Sequence, residues 1–409
     1  MFNYGVFSNV ATFLTLKELL TTYIVNNSLK EQTKDVQPIW RRHCNQLTDL
    51  LQVEKIKRPI YQNYQTLIKL NNITLKKVIK MYFENPNSIE PLLGKITFWD
   101  TSDVTDMSYL FMGAETFNER LLWNTSSVTN MGWMFWGAKA FNQEVNFDTS
   151  QVKKMSGMFY GAKSFNQPIR FDTSRVTDMS GMFHGAEAFN QEVVFDTSQV
   201  TTMKYMFCFA KAFNQPLNFD TSNVTDMSHM FNCLKVFDQP IHFDTSQVTN
   251  MKYMFHGAKS FNQPLDFDTS SVTDMKYMFC DARSFNQPLV FDTSSVTDMC
   301  GMFCGAEAFN QPIKFDTSQV TNMNYMFEHA KSFNQALQFD TSNVRYMSEM
   351  FLWAKSFNQP LDFDTSKVVN MRHMFAHAKS FNQALQFDTS NVKYMCTNGM
   401  FYNTKAYLK

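Results

Sequence analysis

Glycine is scarce in this chain, 13 residues in 409. Little material is left for loops that cradle phosphates, and neither a Gly-rich phosphate loop nor a Gly-x-Ser-x-Gly elbow occurs. There is no Cys-x-x-Cys knuckle. The seven cysteines, Cys44, Cys208, Cys233, Cys280, Cys300, Cys304 and Cys396, are scattered and odd in number, unlike a secreted disulfide framework, and a reducing compartment fits them better. Net charge is lacking too. Lys plus Arg equals Asp plus Glu at 37 each, so no global field draws in nucleic acid or an anionic membrane. The balance hides an asymmetry: residues 1–98 carry 13 basic and 7 acidic side chains, leaving the remainder acidic by the same margin. Nowhere do about 18 apolar residues run together, as a membrane-spanning helix needs. The first twenty residues lack an early Lys or Arg, and Asn9, Thr12 and Thr15 break their apolar stretch, so no signal peptide is expected. These absences predict an intracellular, cytoplasmic protein that is not an enzyme, with no cofactor, no nucleic-acid partner and no membrane insertion.

What the chain does have is a repeat. Trp99, Trp123, Phe147, Phe171, Phe195, Phe219, Phe243, Phe267, Phe291, Phe315, Phe339, Phe363 and Phe387 follow one another at intervals of 24 residues. A period this strict signals a stacked array. One unit reads F-D-T-S-x-V-T-x-M-x-x-M-F-x-x-A-x-x-F-N-Q-P-L-x, as over 147–170, and 24 of the 28 methionines fall in its two Met columns. Met158, Phe159, Ala162 and Phe165 have helical spacing, which predicts a short helix in each coil. Pro168-Ile169-Arg170-Phe171-Asp172 alternates, which predicts a short parallel strand beginning at the proline. The fold class read from this pattern is an α/β repeat solenoid of about thirteen 24-residue coils with an all-α N-terminal segment. A single coil buries about eight apolar side chains at roughly 1.5–3 kcal/mol each, against about 1–2 kcal/mol for each of its ordered backbone residues. Coils therefore fold only against their neighbours.

The polar constants read first as structure. The Asp-Thr-Ser run predicts a turn and cap, with calcium between neighbouring Asp residues as the alternative. The Asn column from Asn118 to Asn382, replaced only by Asp238, predicts a ladder of side-chain amides that satisfies turn backbone.

The unit F-D-T-S-x-V-T-D-M-x-x-M-F-x-x-A-x-x-F-N-Q, running through residues 96–409, closely resembles the BspA-like leucine-rich-repeat family, the mycoplasma lipoprotein-associated repeat seen in bacterial surface proteins and in large DNA viruses. The resemblance implies a leucine-rich-repeat-like solenoid used for protein contacts, with no catalytic residues to carry over. If the source is viral, the compartment is the host cytoplasm. The departures are Trp in the first two coils, Leu234 for Ala, and two extra residues before Met400-Phe401, which predict a frayed final cap.

Partner information in such an array belongs to columns that vary while their neighbours stay fixed. One column lies on the expected sheet face and includes Asn146, Arg170, Asn218, His242, Asp266, Lys314 and Asp362. A second runs along the expected helix, and aromatics crowd its N-terminal end, where Trp123, Trp133, Trp136 and Tyr160 form a candidate contact region. Drift at exposed positions is the plainer account of both. His256, Cys280 and Cys304 share one column with Cys300 nearby, but coil-to-coil spacing strains a shared tetrahedral ion, so no metal is expected.

Ahead of the array the 24-residue period vanishes. Domains are therefore read as a helical segment over 1–50, a helical linker or cap over 51–95, and the solenoid over 96–409. Thr15-Leu16-Lys17-Glu18 has capping-box spacing. A second helix is expected through Leu75, Val78, Ile79 and Tyr82, with Asn85-Pro86 ending the helical region. The stretch Val10 to Leu20, followed by Val25-Asn26-Asn27-Ser28-Leu29 and Trp40-Arg41-Arg42, is similar to the F-box, although the usual Leu-Pro start is missing. That similarity implies that Val10, Phe13, Leu14, Leu19 and Leu20 face a Skp1-type adaptor of a ubiquitin ligase while the solenoid recruits a substrate. A plain helical cap on the first coil is the competing reading, and an adhesin-like surface scaffold is the competing function.

Overall fold

The structure is a computed structural model that describes residues 60–62, 65–67, 69–393 and 397–405. The five adaptor-facing positions Val10 to Leu20 and the Thr15 capping box lie outside the described residues.

Hydrogen bonds of the repeat alternate between two destinations. The N–H of Gly157 donates to the carbonyl of Ser180 in the next coil (2.8 Å), that of Phe159 to Met182 (2.9 Å) and that of Gly161 to His184 (2.6 Å). The N–H groups between them close turns within the coil: Met158 to Met155 (3.2 Å), Tyr160 to Gly157 (3.0 Å) and Ala162 to Phe159 (3.0 Å). Each coil thus lays a row of tight turns on the next, and isolated parallel bridges join the coils from Asp106 to Asn370.

This corrects the expected coil. The run from Met158 to Phe165 is a series of turns and no helix, because Gly157 (φ 60°) and Gly161 (φ 67°) are left-handed, and a left-handed residue recurs at those two positions of nearly every coil. A left-handed residue at the third place of a four-residue turn is what a type II turn needs, and it aims every second N–H out of the coil. The stretch from Pro168 forms no ladder either, and the parallel pairing sits at Lys154 and its equivalents. Alternating burial survives there, with Ile169 and Phe171 buried and Arg170 and Asp172 exposed. Ring spacing changes across the coil. Between two successive coils the rings lie 5.7 Å apart at Phe303–Phe327, 6.0 Å at Phe309–Phe333 and 6.3 Å at Phe291–Phe315. The rings thus spread toward the Phe-Asp-Thr-Ser side, the wide side of each coil.

Side chains hold the wide side instead. The N–H of Asn166 donates to Asn142 Oδ1 and that of Asn190 to Asn166 Oδ1, both at 2.9 Å, and each following Gln amide donates to the same Asn. Asp238 keeps the ladder by accepting from Asn262 N–H at 2.9 Å. Asp172 Oδ1 accepts the N–H and hydroxyl of Ser174 (3.0 and 2.7 Å), and Thr173 Oγ1 donates to the Asp196 carbonyl at 2.8 Å. The Asp-Thr-Ser run is therefore a turn that also stitches coils.

Inside, the Val, Met, Ala and Phe columns are buried, with Ala114, Phe387 and Val392 near the ends only partly so, and each coil's core is covered by its neighbours. Where Leu234 replaces Ala, the Phe231–Phe237 rings separate to 4.9 Å from 4.0 Å at Phe159–Phe165, and Phe207–Phe231 opens to 6.4 Å. The larger side chain is accommodated by a local wedge.

At the N-terminal end a short antiparallel hairpin, β1 (Ile60–Gln62) with β2 (Gln65–Leu67), precedes helix α1 (Asn72–Glu84). Asn71 caps α1 in a reciprocal box with Thr74, and its buried face is Thr74, Leu75, Val78, Ile79 and Tyr82. Asn85 ends α1 as expected, but Pro86 opens a second helix, α2 (Pro86–Leu93), since proline at the first helical position loses no hydrogen bond. Asn72 Oδ1 accepts the N–H groups of Thr105 and Asp106, Lys76 pairs with Asp106 at 3.3 Å, and Tyr82 meets Trp99 edge-on at 5.9 Å. Helix α1 thereby covers the exposed end of the first coil. At the other end the two extra residues do not fray the stack: Phe375 N–H donates to Met400 (3.0 Å) and Phe401 stacks on Phe375 at 5.8 Å. Thr397–Met400 form a single turn, α3.

Candidate functional site

The turn ladder presents one face on which the repeat stops repeating. Its two left-handed columns and the column between them carry Tyr109, Trp133, Trp136, Tyr160, His184, Tyr205, His229, Tyr253 and Tyr277 in succession. Tyr109 stacks on Trp133 at 6.4 Å, and Trp133 and Trp136 both meet Tyr160, at 5.4 and 6.1 Å. Tyr160 lies on His184 at 4.1 Å, Tyr205 on His229 at 4.3 Å, His229 on Tyr253 at 4.6 Å and Tyr253 on Tyr277 at 4.9 Å. The ridge resumes with Trp353 on His377 at 3.9 Å. Rings within the ridge are held by their neighbours, so they lose little rotamer freedom on binding.

Glycine makes room for it. A Cβ at Gly157 would lie 2.4 Å from the Trp133 ring, so the indole leans across the bare backbone of the next coil. Replacing Gly157 by alanine is expected to cost about 1–2 kcal/mol from the left-handed backbone and to displace Trp133. Thermal unfolding together with a change in tryptophan emission checks it.

Three of the four aromatic candidates meet here, and Trp123 does not. Trp123 is buried, stacks on Trp99 at 6.5 Å and donates its indole N–H to the Ile96 carbonyl at 2.8 Å. It stands in the Phe column that opens each coil, where it fills the core. Beside the ridge's N-terminal end, Phe83 of α1, Tyr109 and Met112 are 43–54% exposed around a groove of about 490 Å³ that Lys76, Ile79 and Lys80 also line. Sequence spacing gave no sign of this groove, because it forms between α1 and the first coil.

The other predicted column stands on the wide side. Asn146, Arg170, Asn218, His242, Asp266, Lys314 and Asp362 are all exposed, with Val194 and Val290 exposed among them at 72% and 91%. They form no continuous chemistry: acids, bases, amides and apolar residues alternate.

Midway along the ladder face the aromatics give way to Cys, His and acids. His229 Nδ1 lies 3.0 Å from Asn232 Nδ2, and Asn232 Oδ1 lies 3.2 Å from His256 Nδ1. His256, Cys280 and Asp281 bring one nitrogen, one sulfur and one carboxylate oxygen within 4.8 Å of one another. The Cys304 thiol donates to Glu328 Oε2 at 3.3 Å, and the Cys300 thiol to Tyr277 Oη at 3.2 Å. Burial pulls the His184 ring down to about 4, and burial with Lys252 beside it takes His229 to about 4, so both are neutral at physiological pH. His256 moves the other way, raised by hydrogen bonds to Cys233 and Cys280. Cys280 is lowered, first by the neighbouring Cys304 and then by His256.

A stack of turns without regular helix or strand, wound about a Phe and Met core and decorated on one face, defines a repeat solenoid. The chain belongs to the family described as Mycoplasma protein of unknown function, DUF285, whose model matches residues 76–193, 170–242, 217–290, 289–362 and 337–409. No curated protein matches it. Among solved structures it is similar to a leucine-rich repeat protein from Bacteroides ovatus, at 11% identity and a TM-score of 0.26 over 75% of this chain and 88% of that one. Among the described residues no helix is long and apolar enough to cross a membrane.

Proposed function

We propose that this chain is a non-enzymatic scaffold that binds a protein partner along the ladder face, with the aromatic end at Trp133, Trp136 and Tyr160 as the main contact. The observation that carries it is the stacked, half-exposed ridge that runs into the groove beside Phe83 and Met112. Rigid Tyr and Trp surfaces are the commonest seats of binding energy at protein interfaces. Among the described residues the repeat's invariant positions are absorbed by the core and the ladders, which supports the non-enzymatic reading.

In this reading the N-terminal segment acts as an F-box-like adaptor contact through Val10, Phe13, Leu14, Leu19 and Leu20. The protein works inside the cell as a BspA-like substrate receptor, in the host cytoplasm if its source is viral. What supports that part is the sequence resemblance alone. Pull-down of the full chain with a Skp1-type adaptor tests it: an interaction lost in a Leu19→Asp, Leu20→Asp variant supports the ligase role, and no interaction where an authentic F-box binds removes it. For the array, partners captured by the wild-type chain are compared with those of Trp136→Ala and Lys314→Ala. Loss of affinity by about tenfold or more, roughly 1.4 kcal/mol, is expected for Trp136→Ala alone. The opposite pattern moves the binding surface to the Asn146–Asp362 column.

A further inference from the structure

We propose that His256, Cys280 and Asp281 form a zinc-class metal site on the ladder face, joining two successive coils through one ion. Their ligand atoms already lie within 4.8 Å of one another. Zinc bound to nitrogen, sulfur and oxygen at its usual distances spaces them by about 3.4–3.6 Å, so closure by roughly 1 Å completes three sides of a tetrahedron. One thiolate, one imidazole and one carboxylate make a donor set of the kind borderline-soft divalent ions prefer over calcium or magnesium.

The surroundings fit a ligand set. Asn232, itself buried, places its Oδ1 3.2 Å from His256 Nδ1. In a neutral ring that bond leaves the lone pair on Nε2, and it is the outer-sphere contact that orients most metal-binding histidines. Asp281 has φ 55°, and its Oδ1 projects over the next coil to within 2.6 Å of where a Cβ on Gly305 would stand. Only glycine there leaves the carboxylate its place. Arg283 stands 4.0 Å from Asp281 and closer to Glu307 at 3.7 Å, so it does not lock the carboxylate away. Cys304, the residue that column spacing nominates, is engaged with Glu328 instead. The third ligand comes from the residue after Cys280, because the left-handed backbone turns it onto the same side. Three protein ligands leave a fourth position to water or to an incoming group.

The test uses the full-length chain, stripped with chelator under reducing conditions and titrated with zinc against a competing indicator, then with cobalt(II) alone. One equivalent of zinc is expected, with a thiolate-to-cobalt charge-transfer band. Cys280→Ser should abolish the band and weaken zinc binding at least tenfold, His256→Gln should weaken it comparably, and Cys208→Ser should change neither. The His256 and Asp281 side chains are half-buried at the surface, so His256→Gln and Asp281→Asn keep the test sound should Cys280→Ser misfold by circular dichroism. No stoichiometric zinc in the wild-type chain overturns the site. So does zinc that is held equally well, with an unchanged band, in His256→Gln and Asp281→Asn.

Discussion

Replacing Phe255 by alanine is expected to lower the unfolding free energy by about 3–5 kcal/mol, the usual cost of deleting a buried phenylalanine. The ring is fully buried, stacks on Phe261 at 4.4 Å and lies between Phe231 at 5.5 Å and Phe279 at 5.6 Å in the coils before and after. Its loss therefore opens a cavity shared by three coils. The coils cannot close it by collapsing, because the backbone ladder fixes their spacing through Phe255 N–H to the Met278 carbonyl at 2.9 Å and Phe231 N–H to Met254 at 3.0 Å. In a one-dimensional stack, each interface is a share of the stability that all coils draw on. Asp266→Ala on the exposed wide side is expected to change stability by less than about 0.5 kcal/mol. Denaturant unfolding of the two variants, with equal m-values, makes the comparison. Equal losses would mean that inside and outside have been exchanged.

The contrast between Phe255 and Asp266 was legible in the sequence, because burial follows composition and period. A column that is Phe or Met in nearly every coil has to be interior, and a column that runs Arg170, His242, Asp266 and Val290 has to be exterior. Stacking was legible for the same reason. The conformation between these columns was not. Met158, Phe159, Ala162 and Phe165 have the spacing of a helix, yet the same four residues sit on one side of a row of turns when residues 157 and 161 are left-handed. Glycine at those places was a sign, but Tyr205, His229, Tyr253 and Trp353 adopt the same φ. Aromatic residues seldom do so unless surrounding structure compels it, and here the ladder of N–H groups aimed at the next coil supplies the compulsion.

Site residues divide along the same line. Trp133, Trp136 and Tyr160 were found as a crowd of aromatics in a varying column, and they do meet. Trp123 shares a coil with Trp133 and Trp136, but its column places it in the core. Asp281 escaped notice because consecutive residues diverge in both regular structures, and only the left-handed turn brings it beside Cys280 and His256.

The Asn ladder gives the second large effect. Asn286 Oδ1 accepts the N–H of Asn310 at 2.9 Å and the side-chain amide of Gln311 at 3.2 Å. Leucine at 286 removes that acceptor and leaves the Asn310 N–H facing an apolar group, while the Gln311 amide keeps only its bond to the Asn286 backbone carbonyl at 3.0 Å. An unsatisfied backbone N–H costs about 1–3 kcal/mol and the lost amide bond adds about 0.5–1.5, so Asn286→Leu is expected to destabilise by roughly 2–4 kcal/mol. Aspartate at 286 keeps an acceptor oxygen in the same place. The chain already contains that substitution at Asp238, which accepts from Asn262 N–H at 2.9 Å and from Gln263 Nε2 at 3.0 Å. Asn286→Asp should then cost well under half as much as Asn286→Leu. Urea unfolding of both, with hydrogen exchange at the Asn310 amide, separates the effects. The leucine variant should lose protection at that amide and the aspartate variant should keep it. If both lose stability equally, shape at 286 matters and the hydrogen bond does not.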